Sequence, residues 1–224
     1  MRTSRLVTGV VTASLLGATP LALAAPAEAR ETWSTTTTAE PSAALVEFGE
    51  QVDIGLEVDS ATGSSPVVGT STLYARRAGT TDWVAVATNT FPGADFLDVA
   101  PRMTTTYKVV YGGGTETDTA KGDRYASSES APFTVAVKRR ITHPTAGFEL
   151  EGRVTPRYRR KPLRIRASRD QETGYELVRV VRTDRRGRYS FRLPRRSGTW
   201  YWIISVRGDK RFRGAAFGYE TSVF

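Results

Sequence analysis

Apolar residues in this chain recur at every second position. Val52, Ile54, Leu56 and Val58 alternate with Asp53, Gly55, Glu57 and Asp59. Successive side chains of a strand point to opposite faces, so the run reads as a strand with one buried and one wet face. Leu73 to Arg77 and Trp83 to Thr88 read as a strand pair joined through Ala78-Gly79-Thr80-Thr81-Asp82. Phe96 to Val99, Thr106 to Tyr111 and Phe133 to Val137 add three more. Further on, Leu163, Ile165 and Ala167 alternate with arginine and serine, as do Tyr189, Phe191 and Leu193, then Trp200, Trp202, Ile204 and Val206. Gly, Pro, Asp and Ser punctuate these runs, and no stretch reads as an amphipathic helix of useful length. Many short strands with regular turn signals predict an all-β sandwich or barrel.

The strands fall into two sets in matching register. Pro101 precedes Tyr107 by the interval that separates Pro194 from Trp200, with Thr106 and Thr199 before each aromatic. Leu73-Tyr-Ala-Arg-Arg matches Leu163-Arg-Ile-Arg-Ala, and Gly122-Asp-Arg before Tyr125 matches Gly208-Asp-Lys before Phe212. A repeat of about 90 residues is a whole domain, since solenoid units run to roughly 20–50. The expected organisation is a signal peptide over 1–29, a flexible Thr-rich leader over 30–43, an acidic sandwich over 44–137, a linker over 138–143 and a basic sandwich over 144–224. Lys138-Arg139-Arg140 in that linker is an expected early trypsin site. Trp83, Trp200 and Trp202 each share a strand face with small or aliphatic residues and are expected in the cores; a sugar-stacking platform is the competing reading of the last two.

Two segments carry a family resemblance. Thr106-Tyr-Lys-Val-Val-Tyr-Gly112 followed by Tyr125-Ala-Ser-Ser-Glu-Ser-Ala-Pro-Phe-Thr-Val-Ala-Val137 resembles the last two strands of a bacterial Ig-like repeat. Gly187-Arg-Tyr-Ser-Phe-Arg-Leu-Pro194 with Gly198-Thr-Trp-Tyr-Trp202 resembles a companion module. Such tandem repeats, of Ig or fibronectin III type, occur in secreted or surface proteins of high-GC Gram-positive bacteria. The resemblance implies two tandem Ig-like β-sandwich domains, with Tyr107 as a tyrosine corner whose hydroxyl bonds upstream backbone. Modules of this kind bind, space or display, so the resemblance carries architecture rather than function.

The ends and the cysteine content set the compartment. Met1, Arg2 and Arg5, the apolar run Leu6 to Ala25 and the small residues around Ala22–Ala24 and Ala27–Ala29 have the layout of a secretory signal peptide. The chain has no cysteine, so export would bring no disulfide framework. No later apolar run approaches the ~20 residues of a membrane span. The mature protein is expected to be extracellular, released or held at the wall without a covalent bond.

Chemistry is sparse. The single histidine, His143, falls in the expected linker with no second ligand nearby in sequence, and no nucleophile, phosphate-loop or metal-ligand motif is present. Asp95 with Asp98, and Glu116 with Asp118, are the carboxylate pairs that catalysis or calcium would need, but both read as turn acids. No enzymatic activity, cofactor or metal is expected. The conspicuous feature is charge. Residues 138–224 hold 20 Arg and 3 Lys against 8 acids, a balance of +15, whereas residues 31–137 hold 14 acids against 6 bases, a balance of −8. Arg164, Arg166, Arg188 and Arg192 alternate with apolar neighbours and should point outward; with Arg157, Arg159, Arg160 and Lys161 they form a candidate polyanion-binding patch. The partners this suggests are an anionic cell-wall polymer or polysaccharide, in a secreted binding or adhesion module. Three alternatives stand beside it: arginine-rich codon usage, an acidic half that faces the basic half within one molecule or head to tail, and a spacer or accessory subunit for another secreted protein.

Overall fold

The computed structural model describes residues 31–117 and 122–224. The signal peptide read over 1–29 and the acid Asp118 lie outside the described residues. The first half contains β1 (Thr32–Trp33), β2 (Thr35–Pro41), β3 (Leu45–Glu47), β4 (Val52–Ser60), β5 (Ser71–Arg77), β6 (Val84–Asn89), β7 (Phe96–Val99), β8 (Thr105–Tyr111), β9 (Gly114–Thr115), β10 (Arg124–Tyr125), β11 (Ser128–Glu129) and β12 (Phe133–Lys138). The second half contains β13 (Arg140–Thr142), β14 (Glu149–Thr155), β15 (Pro162–Ser168), β16 (Glu176–Arg182), β17 (Arg188–Arg192), β18 (Gly198–Val206) and β19 (Ala215–Val223). Among the described residues there is no helix.

Both halves are two-sheet sandwiches with one strand order. In the first, β2-β4-β7 faces β3-β12-β8-β5-β6, with β11 also on β8. In the second, β13-β14-β17 faces β16-β15-β18-β19. Set aside the short extra strands, and each half pairs its first, second and fifth strands in one sheet and its fourth, third, sixth and seventh in the other. That is the Ig-like, fibronectin III arrangement. The parallel pairing of β3 with β12 closes the first sandwich as a second short first-strand segment. Pro132, between β11 and β12, has no N–H to give the ladder and splits the last strand in two.

The period-two runs become the cores. β4 alternates buried and accessible residues along its whole length, and Val52, Ile54, Leu56 and Val58 pack against Leu73, Tyr107, Val109 and Val135 from the facing sheet. Leu150, Leu163, Ile165, Phe191, Trp202 and Ile204 do the same in the second core. Trp202 is fully buried and its Nε1–H donates to Thr221 Oγ1 at 2.9 Å, which satisfies its one polar atom. Gly152 is fixed by a close approach: a Cβ there would sit 1.8 Å from the Thr142 carbonyl oxygen of neighbouring β13.

Four expectations need correction. The leader over 30–43 is not flexible from Thr35 on. β2 pairs with β4 at every residue from Thr35 to Pro41. Threonine suits a pleated half-buried surface, and Thr37 is buried, with its hydroxyl sharing a 2.6 Å hydrogen bond with Ser128. The linker over 138–143 shrinks to Arg139, because β12 ends at Lys138 and β13 starts at Arg140. Trp83 lies just before β6 and outside the core, half-buried between the Arg76 guanidinium at 4.7 Å and Lys108 Nζ at 4.9 Å. Tyr107 is buried against Phe133, but the upstream backbone bond belongs to Tyr111, whose hydroxyl donates to the Val68 carbonyl at 2.7 Å.

The two sandwiches share a packed joint. The loop between β18 and β19 folds back so that the Arg213 amide donates to the Val137 carbonyl at 2.8 Å and the Thr104 amide to the Arg211 carbonyl at 2.9 Å. Phe212, at the tip, is buried in the core of the first sandwich with its ring edge-on to Phe48, centroids 6.3 Å apart. Asp209 Oδ1 shapes the tip by accepting from the Arg211 and Phe212 amides at 2.9 and 3.1 Å.

Candidate functional site: a basic loop end at the joint

Three connections of the second sandwich meet where it abuts the first. The β14–β15 loop carries Arg157, Arg159, Arg160 and Lys161, all exposed. The β16–β17 turn adds Arg185 and Arg186, flanked by Arg182 and Arg188. The β18–β19 loop adds Arg207, Lys210, Arg211 and Arg213. Hydrogen bonds tie the first two together: the Arg160 amide donates to the Asp184 carbonyl at 3.1 Å, Arg182 Nη1 to the Arg160 carbonyl at 3.2 Å, and Thr183 Oγ1 to the Tyr158 carbonyl at 2.6 Å. Lys161 Nζ, 3.6 Å from Asp209 Oδ2, joins the third.

The end holds two acids, and both are already engaged. Asp184 Oδ1 accepts from the Arg188 and Arg186 amides at 2.8 and 2.6 Å, and these bonds, the Arg188 amide foremost, hold its carboxyl below the ordinary range. Asp209 takes a 2.6 Å charge-assisted bond from Arg139 Nη2. Burial opposes its ionisation, but Arg139 and the Arg211 and Phe212 amides outweigh it and keep the carboxyl below its usual value. The cations around them are thus left largely uncompensated. Arg157 and Arg160 also sit at φ of 50° and 52°, the left-handed region that costs a residue with a Cβ about 1–2 kcal/mol. Their turn is braced by Tyr158, whose hydroxyl donates to the Pro162 carbonyl at 2.6 Å.

Of the eight residues read as a patch, five meet here: Arg157, Arg159, Arg160, Lys161 and Arg188. Arg166 and Arg192 do not join them, whereas Arg164, two residues into β15, lies close enough for its charge to act on the Tyr158 hydroxyl at the edge of this end. Arg164 and Arg166 point out from β15, whereas Arg192 points out from β17 in the opposite sheet and lies across from Glu149 on β14. Alternation shows that a side chain points outward, but not which of two outer faces it occupies. The sequence reading missed Arg182, Arg185, Arg186, Arg207, Lys210, Arg211 and Arg213. Their signal was in the turn sequences Asp184-Arg-Arg-Gly187 and Gly208-Asp-Lys-Arg211, which strand order alone brings to one end.

The other candidates resolve into structural duties. Trp200 is half-buried between the guanidinium groups of Arg196, 4.3 Å from the ring, and Arg169 at 5.2 Å, so neither it nor buried Trp202 presents a free platform. His143 stacks on Phe217 with ring centroids 3.8 Å apart. Asp95 Oδ1 accepts from the Leu56 amide at 2.9 Å. Glu116 accepts from the Tyr125 hydroxyl at 2.8 Å, which raises that phenol to about 12. Among the described residues no three His, Cys, Asp or Glu side chains are grouped to hold a metal, and no helix is long and apolar enough to cross a membrane. Glu47, 3.8 Å from Lys138 and 3.5 Å from Arg140, is the only acid of residues 31–137 in an ion pair with a base of residues 138–224 among the described residues. Within one molecule, ion pairs between the acidic and basic halves therefore account for little of the charge among the described residues.

No protein-family model matches this chain, and no curated protein does. Solved structures give distant similarity. The FN1–FN3 domains of chicken CNTN1 align at 11% identity and a TM-score of 0.30, covering 85% of this chain and 67% of that one. The ligand-binding domain of human OSCAR aligns at 13% identity and a TM-score of 0.28, covering 81% of this chain and 97% of that one.

Proposed function

We propose that this protein is an extracellular, non-enzymatic binding module that holds a phosphate-rich cell-wall polymer through the basic loop end of its second sandwich. The observation that carries the reading is the convergence of the three loops, whose two acids are spent on their own turns and on Arg139. Arg forks match phosphate oxygens in pairs, and several in one place give avidity that single exposed pairs lack. The opposed outer sheet faces contribute only a general positive field. The test is binding of the whole mature chain to purified wall teichoic acid, with heparin as comparator, across a salt series. Replacing Arg159, Arg160, Arg185 and Arg186 with Gln should abolish most of the binding, and replacing Arg166 and Arg192 should spare most of it. Equal losses from the two sets would show that the loop end is not the site.

The packed joint favours a second reading, a rigid spacer in another secreted assembly. A chain that binds no polyanion at low salt yet co-purifies with one extracellular protein would select it.

A further inference from the structure

The two sandwiches differ at one seam. β6 and β16 are matching edge strands, each with one bulged valine: Val86 falls between the pairs Leu73↔Ala87 and Tyr74↔Ala85, and Val178 between Ile165↔Arg179 and Arg166↔Leu177. Val178, with Val181, packs against the second core. Val86 does not reach the first: it is 47% exposed, and no residue of β6 belongs to that core or packs on it among the described residues. On the facing sheet β7 has only four residues, Asp98 turns it at a φ of 56°, and Leu97 beside it is 67% exposed. The opening between the two edges is a cleft of about 330 Å³, a volume in the range of small-ligand sites. Its apolar lining includes Leu73, Ala75, Val86, Leu97 and Val99.

One end of the cleft is charged. Leu73, Ala75 and Arg77 share the inner face of β5 by alternation; the first two are buried, and Arg77 is exposed at the strand end. Arg77 pairs across to Thr105, where β8 begins, and Arg102 stands just before that start. Both arginines line the cleft, as does Tyr107. Burial raises the Tyr107 phenol above its ordinary value, while a bond with Thr105 and the charge of Arg77 act against that rise, which sets the guanidinium near the phenol. Neither arginine is in an ion pair among the described residues. Asp98 is the one acid of the lining, so the two bases leave a single positive charge in excess. The bulge at Val86 disrupts the edge that an added strand would pair with, and the cleft is too small to seat a folded partner.

We infer that this cleft binds a small amphipathic carboxylate, its apolar body between Val86 and Leu97 and its acid on Arg77 and Arg102. One carboxylate matches the excess charge, Arg forks suit its geometry, and the body covers apolar surface that the second sandwich seals for itself. The site is on the first sandwich and does not depend on the polymer reading.

The probe is octanoate, titrated into the whole mature chain, with 1-octanol as the body without the acid and acetate as the acid without the body. The readout is the methyl cross-peaks of Val86 and Leu97. Octanoate should move both saturably, 1-octanol should bind more weakly, and acetate should leave them in place. Arg77→Gln and Arg102→Gln should each weaken octanoate by up to about fivefold and leave 1-octanol unchanged. Asp98→Asn, which tolerates the left-handed turn, should strengthen octanoate by a similar factor. Ala87→Phe, on the exposed edge strand, should block both ligands and leave teichoic acid binding unaltered. Methyl peaks that stay put, or octanoate binding that neither arginine variant weakens, would overturn the inference. A chain that is dimeric by light scattering and monomeric as Ala87→Phe would assign the opening to a second copy and overturn it as well.

Discussion

Phe212→Ala separates the structure of the joint from the structure of the two modules. The ring is 5% exposed and sits in a core to which its own sandwich contributes nothing else. A buried aromatic of this kind removes roughly 150–250 Å² from water. Truncation to alanine in a packed core costs about 3–5 kcal/mol, including the cavity left behind. The edge contact with Phe48 at 6.3 Å and the contact with the Arg139 guanidinium at 4.9 Å are part of that cost and place it toward the upper end of the range. The loss falls on the coupling between modules and on the first core, since the second core consists of other residues. Calorimetry of the wild-type chain should show one merged transition. The variant should show two, with the first sandwich melting roughly 10 °C or more lower at 4–8 °C per kcal/mol for a domain of this size. Phe48→Ala should give an overlapping effect, and the double variant less than the sum, because the two rings share one contact. Two transitions in the wild type, or variant midpoints within about a degree of it, would refute a packed joint.

Three further outcomes follow from named geometry. Arg160→Gly relieves a left-handed φ of 52° while keeping both backbone hydrogen bonds of that residue, so urea denaturation should show a gain of up to about 1 kcal/mol, with weaker polymer binding. Limited trypsin should spare Lys138-Arg139-Arg140, because the site lies in paired backbone with Arg139 buried; timed digestion with mass mapping should find first cuts in the exposed β16–β17 turn at Arg185 or Arg186. Asp209 and Asp184 have folded-state pKa values below their unfolded values, so their contribution is full above about pH 3.9 and fades as pH falls through the folded values. Scattering profiles should therefore stay unchanged from neutral pH to about pH 5, and the joint should loosen only in stronger acid.

What was legible in the sequence was whatever is written in local period. β4, β15 and β17 keep the alternation of their residues, and Phe96–Val99 has the predicted bounds. Thr35–Pro41 was misread because low apolar content resembles a leader, while its partners in β4 and at Ser128 lie far along the chain. Arg139 was misread for the reverse reason: a basic tripeptide signals solvent, yet here the middle arginine meets Tyr158, Asp209 and Phe212 from two distant loops. The basic end follows the same logic. Its members were visible as charge, but their grouping depends on which connections the strand order places side by side.

The central claim is that the loop end, rather than overall charge, binds the polymer. The most direct measurement is the slope of log affinity against log salt for the mature chain and teichoic acid, compared between the loop and sheet-face variants. Each neutralised phosphate contributes about 0.7–0.9 to that slope. Removing Arg159, Arg160, Arg185 and Arg186 should make the slope shallower by about 3, and removing Arg166 and Arg192 should change it by less than about 1. A slope near zero in the wild type, or one flattened equally by both sets, would contradict the account.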